Sequence, residues 1–400
     1  MNDTVIVDGV RTAIGNIGGT LSTVTPDILA EKCIRQLLVR NDKICPEEIS
    51  EVILGQAKQT CDISNIARVS SLKSGIPIEV PGYTIHRQCG SGLQSINTGA
   101  LQIMTGNADI IICGGAESMS TAPYYVSGVR FGVKAGNIEL KDPNVASQPG
   151  SQPYDEYGDL KMGITAENIA EKYGMTREEL DSYSLQSQQR AKNAIDNGLF
   201  KSEIVPITIK QKKAEIVFDT DEHPRESSME GLGKLRPAFK DNGLVTAGNS
   251  SGRNDGAAAL LLMSIDKAKE KGYTTGLKVV SFAASGVDPR YMGLGPIPAT
   301  RKALEKANLK IEDIDCIELN EAFASQTLAF YKEFNIDVNT TKINPNGGAI
   351  ALGHPIGATG AILATKLLHQ MNRTNAKYGL VTLCIAGGMG IATVFEKINF

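Results

Sequence analysis

Two runs in this chain place a reactive side chain at the edge of a glycine-rich turn. In His86-Arg-Gln-Cys89-Gly-Ser-Gly-Leu a cysteine precedes Leu93, Ile96, Ala100, Ile103 and Met104, which fall at helical spacing. A thiol there sits beneath exposed backbone N–H groups. Their positive potential favours the thiolate and is expected to lower a thiol pKa from about 8.5. A small buried cysteine is the plainer reading, but Gly90 and Gly92 let another chain or a ligand approach the sulfur closely. The second run, Asn344-Pro-Asn-Gly-Gly-Ala-Ile-Ala-Leu-Gly-His354-Pro-Ile-Gly-Ala-Thr-Gly360, locks a histidine between Gly353 and Pro355. An imidazole titrates near neutrality, so His354 is a candidate general base, against the alternative of a capping residue in a packed turn. The other three histidines, His86, His223 and His369, lack such a setting and are assigned structural or surface roles.

Two further groups can serve the same chemistry. Cys384-Ile-Ala-Gly-Gly-Met-Gly390 offers a second thiol at a strand end, before a turn whose N–H groups can face a developing oxyanion. A buried strand cysteine is an equal reading. Asn320, in Asn320-Glu-Ala-Phe-Ala, can donate a hydrogen bond or hold a water, or it can cap the following helix.

The elements that must position these groups show a duplication. Ile49, Val52, Leu54 and Ala57 match Ile314, Ile317, Leu319 and Ala322 at one constant offset, and the same offset carries Cys89 onto His354. Each turn runs into an apolar-periodic helix, and each helix is followed by an apolar strand, near residues 109–115 and 380–386. A pseudo-twofold axis between such halves would bring the two turns face to face. Residues 142–158 are polar with Pro and Gly and read as an extended loop. Thr176-Arg-Glu-Glu179 matches a capping box opening a helix to about Gly198. The expected organisation is an N-terminal half over 1–120 completed by 248–272, an inserted α-rich loop domain over 121–247, and a C-terminal half over 273–400.

Composition excludes other classes. Hydrophobic residues are 42% and charged residues 21% of the 400, which rules out wholesale disorder. A net charge of −3 argues against nucleic acid as a partner. The N-terminus shows no basic region before an apolar core, so no secretory signal is expected. The nearly uncharged stretch Leu380–Phe395 reads as two buried strands around a glycine-rich turn rather than a membrane span. Seven cysteines without Cys-x-x-Cys spacing fit reduced thiols and a cytoplasmic setting better than zinc or disulfides.

Taken in order, Cys89-Gly-Ser-Gly, Asn320-Glu-Ala-Phe, Gly353-His-Pro and Cys384-Ile-Ala-Gly-Gly resemble the active-site segments of the thiolase family, and the resemblance covers nearly the whole chain. It implies an α/β thiolase-like fold, with two duplicated βαβ-type halves in a layered αβαβα arrangement and helices between and outside two sheets. It implies acyl transfer between coenzyme A thioesters, joining two acetyl-CoA into acetoacetyl-CoA or cleaving a 3-ketoacyl-CoA. Cys89 would be acylated, His354 would take its proton, Cys384 would act as acid or base at the second substrate's α-carbon, and Asn320 would hold a water of an oxyanion hole. Ser251 would contact pantetheine, Arg225 would pack near adenine, and Met162, Met292 and Phe323 would line a short acyl pocket, although plain packing explains Phe323 nearly as well.

The family implies coenzyme A as substrate rather than a bound cofactor, no metal, no membrane partner, and a homodimer or homotetramer in lipid metabolism. A degradative thiolase for longer chains is the nearest alternative, and a non-catalytic CoA- or lipid-binding homologue is the alternative from another class. Two residues depart from the pattern. Ala386 replaces the first glycine of the final turn, where a side chain resists positive φ. Lys161 stands where the acetoacetyl-forming branch has histidine.

Overall fold

The computed structural model describes residues 2–210 and 215–400. Its centre is a sheet whose strands read as continuous apolar runs, because helices cover both faces. In chain order the first half comprises Thr4–Thr12 (β1), Pro26–Arg40 (α1), Glu51–Gly55 (β2), Ile66–Lys73 (α2), Gly82–Ile85 (β3), Ser91–Met104 (α3) and Ile110–Ser118 (β4). The insertion contributes chiefly Met162–Lys172 (α4) and Arg177–Asp196 (α5). Asn254–Ser264 (β5) then returns to the first half. The second half comprises Thr275–Gly286 (β6), Pro296–Ala307 (α6), Cys316–Leu319 (β7), Ala324–Glu333 (α7), Thr359–Arg373 (α8), Tyr378–Ile385 (β8) and Met389–Asn399 (β9).

The strand order β7-β8-β9-β6-β1-β5-β4-β2-β3 is nearly palindromic. β1 answers β6, β5 answers β9, β4 answers β8 and β2 answers β7. The duplication read from sequence is therefore a symmetry of the sheet. One detail differs from the expectation of two sheets. A short antiparallel contact, Val5 with Lys278 and Ile6 with Leu277, joins the half-sheets into one continuous path.

Three apolar clusters define the layers. Leu93, Ile96 and Ile103 of α3 and Ala361, Ile362 and Leu367 of α8 pack between residues of both half-sheets. These two helices are buried on most of their surface, polar Asn97 and Lys366 included, because they form the central layer. On the outer faces, Leu29, Ile34 and Leu37 of α1 cover the first half, while Ala303 of α6 and Leu328 and Phe330 of α7 cover the second. The result is the αβαβα stack.

Residues 121–247 hold mostly helices, together with the antiparallel pair Ile207–Lys210 and Glu215–Phe218 and the two-residue strand Ile204–Val205, which joins β1. The capping box at Thr176 and Glu179 forms as read. Residues 142–158, expected to be extended, instead make short helical turns at Pro143–Ala146, Pro149–Ser151 and Tyr154–Tyr157. The Asp142 side chain accepts from Asn144 N–H and Pro143 occupies the first helical position, so an N-cap and a proline start the first turn. The insertion is anchored by Arg11 of β1, buried between Glu203 and Asp221, with N–O separations of 2.7 Å to each. Among the described residues, no helix is long and apolar enough to cross a membrane. Leu380–Phe395 falls in the β8–β9 hairpin.

Candidate active site

The two reactive turns meet because the central helices cross at glycine. A Cβ on Gly92 of α3 would stand 2.8 Å from Ala361 N of α8, and one on Gly360 would collide with Leu93. Only hydrogen permits that approach. The turns also share a backbone device. Gln88, before Cys89, has φ 44°, and Gly353, before His354, has φ 102°. Left-handed backbone on a non-glycine residue is uncommon and concentrates at functional turns. Cys89 lies just ahead of the N-cap Gly90 of α3. His354 lies farther from its helix, five residues before Thr359.

Hydrogen bonds fix the imidazole. The Thr359 hydroxyl donates to Pro355 O (2.9 Å), so its oxygen accepts from His354 Nδ1–H (2.6 Å). That pattern assigns the lone pair to Nε2. His354 N–H donates to Asn254 Oδ1 (2.9 Å), tying the turn to β5. Burial lowers the His354 pKa to about 4, which keeps the ring neutral at pH 7 and able to accept a proton. The buried Glu117 side chain takes N–H bonds from Ala57, Lys58 and Gly357 (2.9–3.0 Å), tying the turn after β2 to the His354 turn.

The thiols reverse one expectation. Burial pushes the Cys89 pKa up and outweighs the stabilisation of the anion by Ala386 N–H, by nearby Lys58 and by its own N–H. The resting group is therefore a thiol, and its proton needs an acceptor. The backbone N–H groups of Cys89 and Ala386 lie near enough to Sγ to favour its anion. Ala386 itself is not at positive φ. Gly387 (87°) and Gly388 (75°) carry the left-handed turn, so the alanine leaves its N–H in place. Burial also raises the Cys384 pKa, and the neighbouring Cys89 sulfur adds to it. Cys384 Sγ lies 3.8 Å from Gln326 Oε1.

Asn320 is fully buried behind Cys384, and neither its Oδ1 nor its Nδ2 has a hydrogen-bond partner. Phe323, not Asn320, caps α7. An orphaned buried amide is costly and signals a polar ligand. The adjacent Glu321 is fully engaged, accepting from Tyr183, Ser187 and Asn344, and so fixes the segment to the insertion.

Cys89, His354, Cys384 and Ala386 open on one cavity of about 170 Å3 together with Ser251, Met162, Met292 and Phe323. Around Cys384, the Met162, Met292 and Phe323 side chains pack with Ala166, Val245 and Ala322 into a small apolar cluster. Ser251 is held by its N–H to Ala322 O (3.0 Å). Asn320 is not at the cavity wall. Arg225 is not there either: it is exposed, beside Gln188 and Pro224, with its guanidinium on Ala247 O (3.2 Å). Lys161 faces outward to Asp159. His86 is exposed, while His223 bonds Asn16 and His369 bonds Ser202 and Gly9, all structural or surface positions.

The sequence reading missed Phe239, edge-on to Phe323 at 6.2 Å, and a polar group of Lys58, Gln88, Ser147 and Ser151. Gln88, adjoining Cys89, was the one within reach of a motif.

Comparison with known proteins agrees with this geometry. The models of the thiolase N-terminal and C-terminal domains match residues 4–266 and 273–397. An acetyl-CoA acetyltransferase of Pseudomonas aeruginosa is 48% identical over 99% of this chain and 100% of its own. The crystal structure of the Bacillus anthracis acetyl-CoA acetyltransferase superposes with a TM-score of 0.95 at 45% identity, covering 100% of this chain and 99% of that one. Human mitochondrial 3-ketoacyl-CoA thiolase superposes with a TM-score of 0.93 at 42% identity, covering 99% and 98%. Two matched domains, a mirrored sheet and two thiols with an imidazole on one cavity lead to one assignment: the chain belongs to the thiolase family.

Proposed function

We propose that the protein interconverts two acetyl-CoA with acetoacetyl-CoA and CoA through an acetylated Cys89. The observation that carries this reading is the convergence of Cys89, His354, Cys384 and Ala386 on one small cavity. In the cleavage direction His354 Nε2 takes the Cys89 proton as sulfur attacks the ketone carbon of acetoacetyl-CoA. The oxyanion forms at the Cys89 and Ala386 N–H groups. The bond between C2 and C3 then breaks, and its electron pair stays on C2 as the enolate of acetyl-CoA, with Asn320 supporting the enolate oxygen through a water. Cys384, protonated at rest, supplies the proton to C2. Incoming CoA returns a proton to Cys384 and displaces Cys89 from the acetyl group. Condensation is the reverse.

The substrate thioester itself supplies the leaving group, so the reading includes no resident cofactor and no metal. Ser251 contacts pantetheine, Arg225 lies toward the adenine end outside the cavity, and Met162, Met292 and Phe323 bound the acyl group. Seven free cysteines support a reducing, cytoplasmic setting in lipid metabolism. Tyr124, Phe131, Ile138 and Leu140 stand exposed on one segment of the insertion, Phe131 at 97%, which supports a homodimer or homotetramer over a monomer.

The degradative alternative is separated kinetically. kcat/KM on acetoacetyl-CoA is expected to exceed that on a sixteen-carbon 3-ketoacyl-CoA, and a strong preference for the longer substrate overturns the acetyl reading.

A further inference from the structure

Cys384 lies near the end of β8, fully buried in the apolar cluster of Met162, Met292 and Phe323. A thiol that must keep, release and regain a proton there needs a polar partner for each of its two states. The thiolate has its partners, because the Cys384 N–H and the Asn320 amide lie near enough to favour the anion. The thiol has a different one. Its S–H donates to Oε1 of Gln326, 3.8 Å away on the first turn of α7.

Gln326 is held in one orientation. Ala322 N–H donates to the same Oε1 (3.2 Å), so the oxygen cannot change places with Nε2 without setting two donors against each other. The stem is pinned as well. A Cβ on Gly293, in the helical turn Pro289–Leu294, would stand 2.7 Å from Gln326 Cβ and Cγ. The amide is fully buried, and among the described residues its Nε2 has no hydrogen-bond partner. An unpaired buried N–H group costs stability that an apolar side chain of similar size would not. Closing the start of a helix does not account for that cost.

We infer that Gln326 is a positioning residue for Cys384: its fixed Oε1 accepts the S–H hydrogen bond, holds the sulfur in place at the cavity and keeps the resting group a thiol. This rests on the thiolase reaction proposed above, in which Cys384 serves the second substrate. Gln326 itself neither gains nor loses a proton. In cleavage the Cys384 proton leaves Oε1 for C2, the thiolate left behind is met by Asn320 and the Cys384 N–H, and CoA returns the proton. A thiol is a weak donor, so its bond to a neutral amide oxygen breaks readily in each turnover.

Two reactions separate this role from plain packing. Exchange of acetyl between acetyl-CoA and isotopically labelled CoA needs Cys89 and His354 but no proton at C2. Cleavage of acetoacetyl-CoA needs Cys384 as well. Gln326→Leu removes the acceptor at similar size. It is expected to lower kcat for cleavage by about 10- to 100-fold, with KM and the exchange rate within about threefold of wild type. Gln326→Glu keeps an oxygen at both contacts, and burial keeps its carboxyl neutral, so it is expected to cleave at least about fivefold faster than Gln326→Leu. A packing fault lowers both reactions together. Cleavage and exchange falling by the same factor in Gln326→Leu overturns the inference, as does unchanged cleavage in that variant or cleavage no faster in Gln326→Glu. Those results leave the thiolase reading standing, whereas wild-type protein that neither exchanges nor cleaves overturns both.

Discussion

The two halves of this molecule share a scaffold and differ at the positions that face each other across the cavity. Cys89 stands opposite His354, Lys58 opposite Phe323, and Gln88 opposite Gly353. On the first side the wall is polar and carries the nucleophile; on the second it is apolar and carries the base and the second thiol. Duplication supplied two equivalent turns on crossing helices. Divergence at equivalent sites then made one turn a sulfur donor and the other a proton acceptor. Symmetry explains where the groups are, and its breaking explains what they can do.

The sharpest way to break the Cys89–His354 pairing is to remove the base. His354→Ala is expected to lower kcat by about 10³–10⁴ while the protein stays folded, since general-base catalysis is worth about 10²–10⁴ and the Cys89 proton has no other acceptor. A loss under tenfold would remove His354 from that role. Asn320→Ala is expected to cost about 10²–10³ in kcat with little change in KM, the range for one lost oxyanion donor. A KM effect alone would make Asn320 a binding group.

The same imidazole gives a pH prediction. The folded pKa is about 4 and the unfolded value about 6.5. Between those values the unfolded chain binds the extra proton, so stability is complete above pH 6.5 and falls as pH drops toward 4. The shift corresponds to about 3 kcal/mol. Urea titrations at pH 7 and pH 4 are expected to show wild type losing about that much more stability than His354→Gln. Equal losses would contradict the burial that defines this half.

The smallest effects compare the two strained residues. Gly353→Ala is expected to cost about 1–3 kcal/mol, because φ is 102° and a Cβ would lie 2.5 Å from the Asn254 side chain. Gln88→Gly, where the backbone already tolerates a side chain, is expected to change stability by less than about 1 kcal/mol. Thermal unfolding of both variants checks the contrast, and similar losses would contradict it.

How far these features were legible from sequence follows from their range. The duplication, the hairpin over Leu380–Phe395 and the helix opened by Thr176 rest on local periodicity and capping, and all three appear in the fold. The small turn at Pro143 carried a readable signal in Asp142-Pro143, but its polar composition pointed to an extended loop instead. The direction of the Cys89 pKa was not legible. The helix end was visible in the glycines, whereas the burial that outweighs it comes from segments far along the chain. The polar wall was equally hidden, because Lys58 meets Ser147 across 89 residues and no local pattern encodes that contact. Arg225 was placed by resemblance, and the fold sets it outside the cavity.

The central claim is that Cys89 carries the acyl group between two substrates. Intact-mass measurement after incubation with acetyl-CoA tests it directly. The account predicts one added acetyl group on the wild type, discharged by free CoA and absent from Cys89→Ala. An adduct that persists in Cys89→Ala, or no adduct on folded wild-type protein, would contradict it.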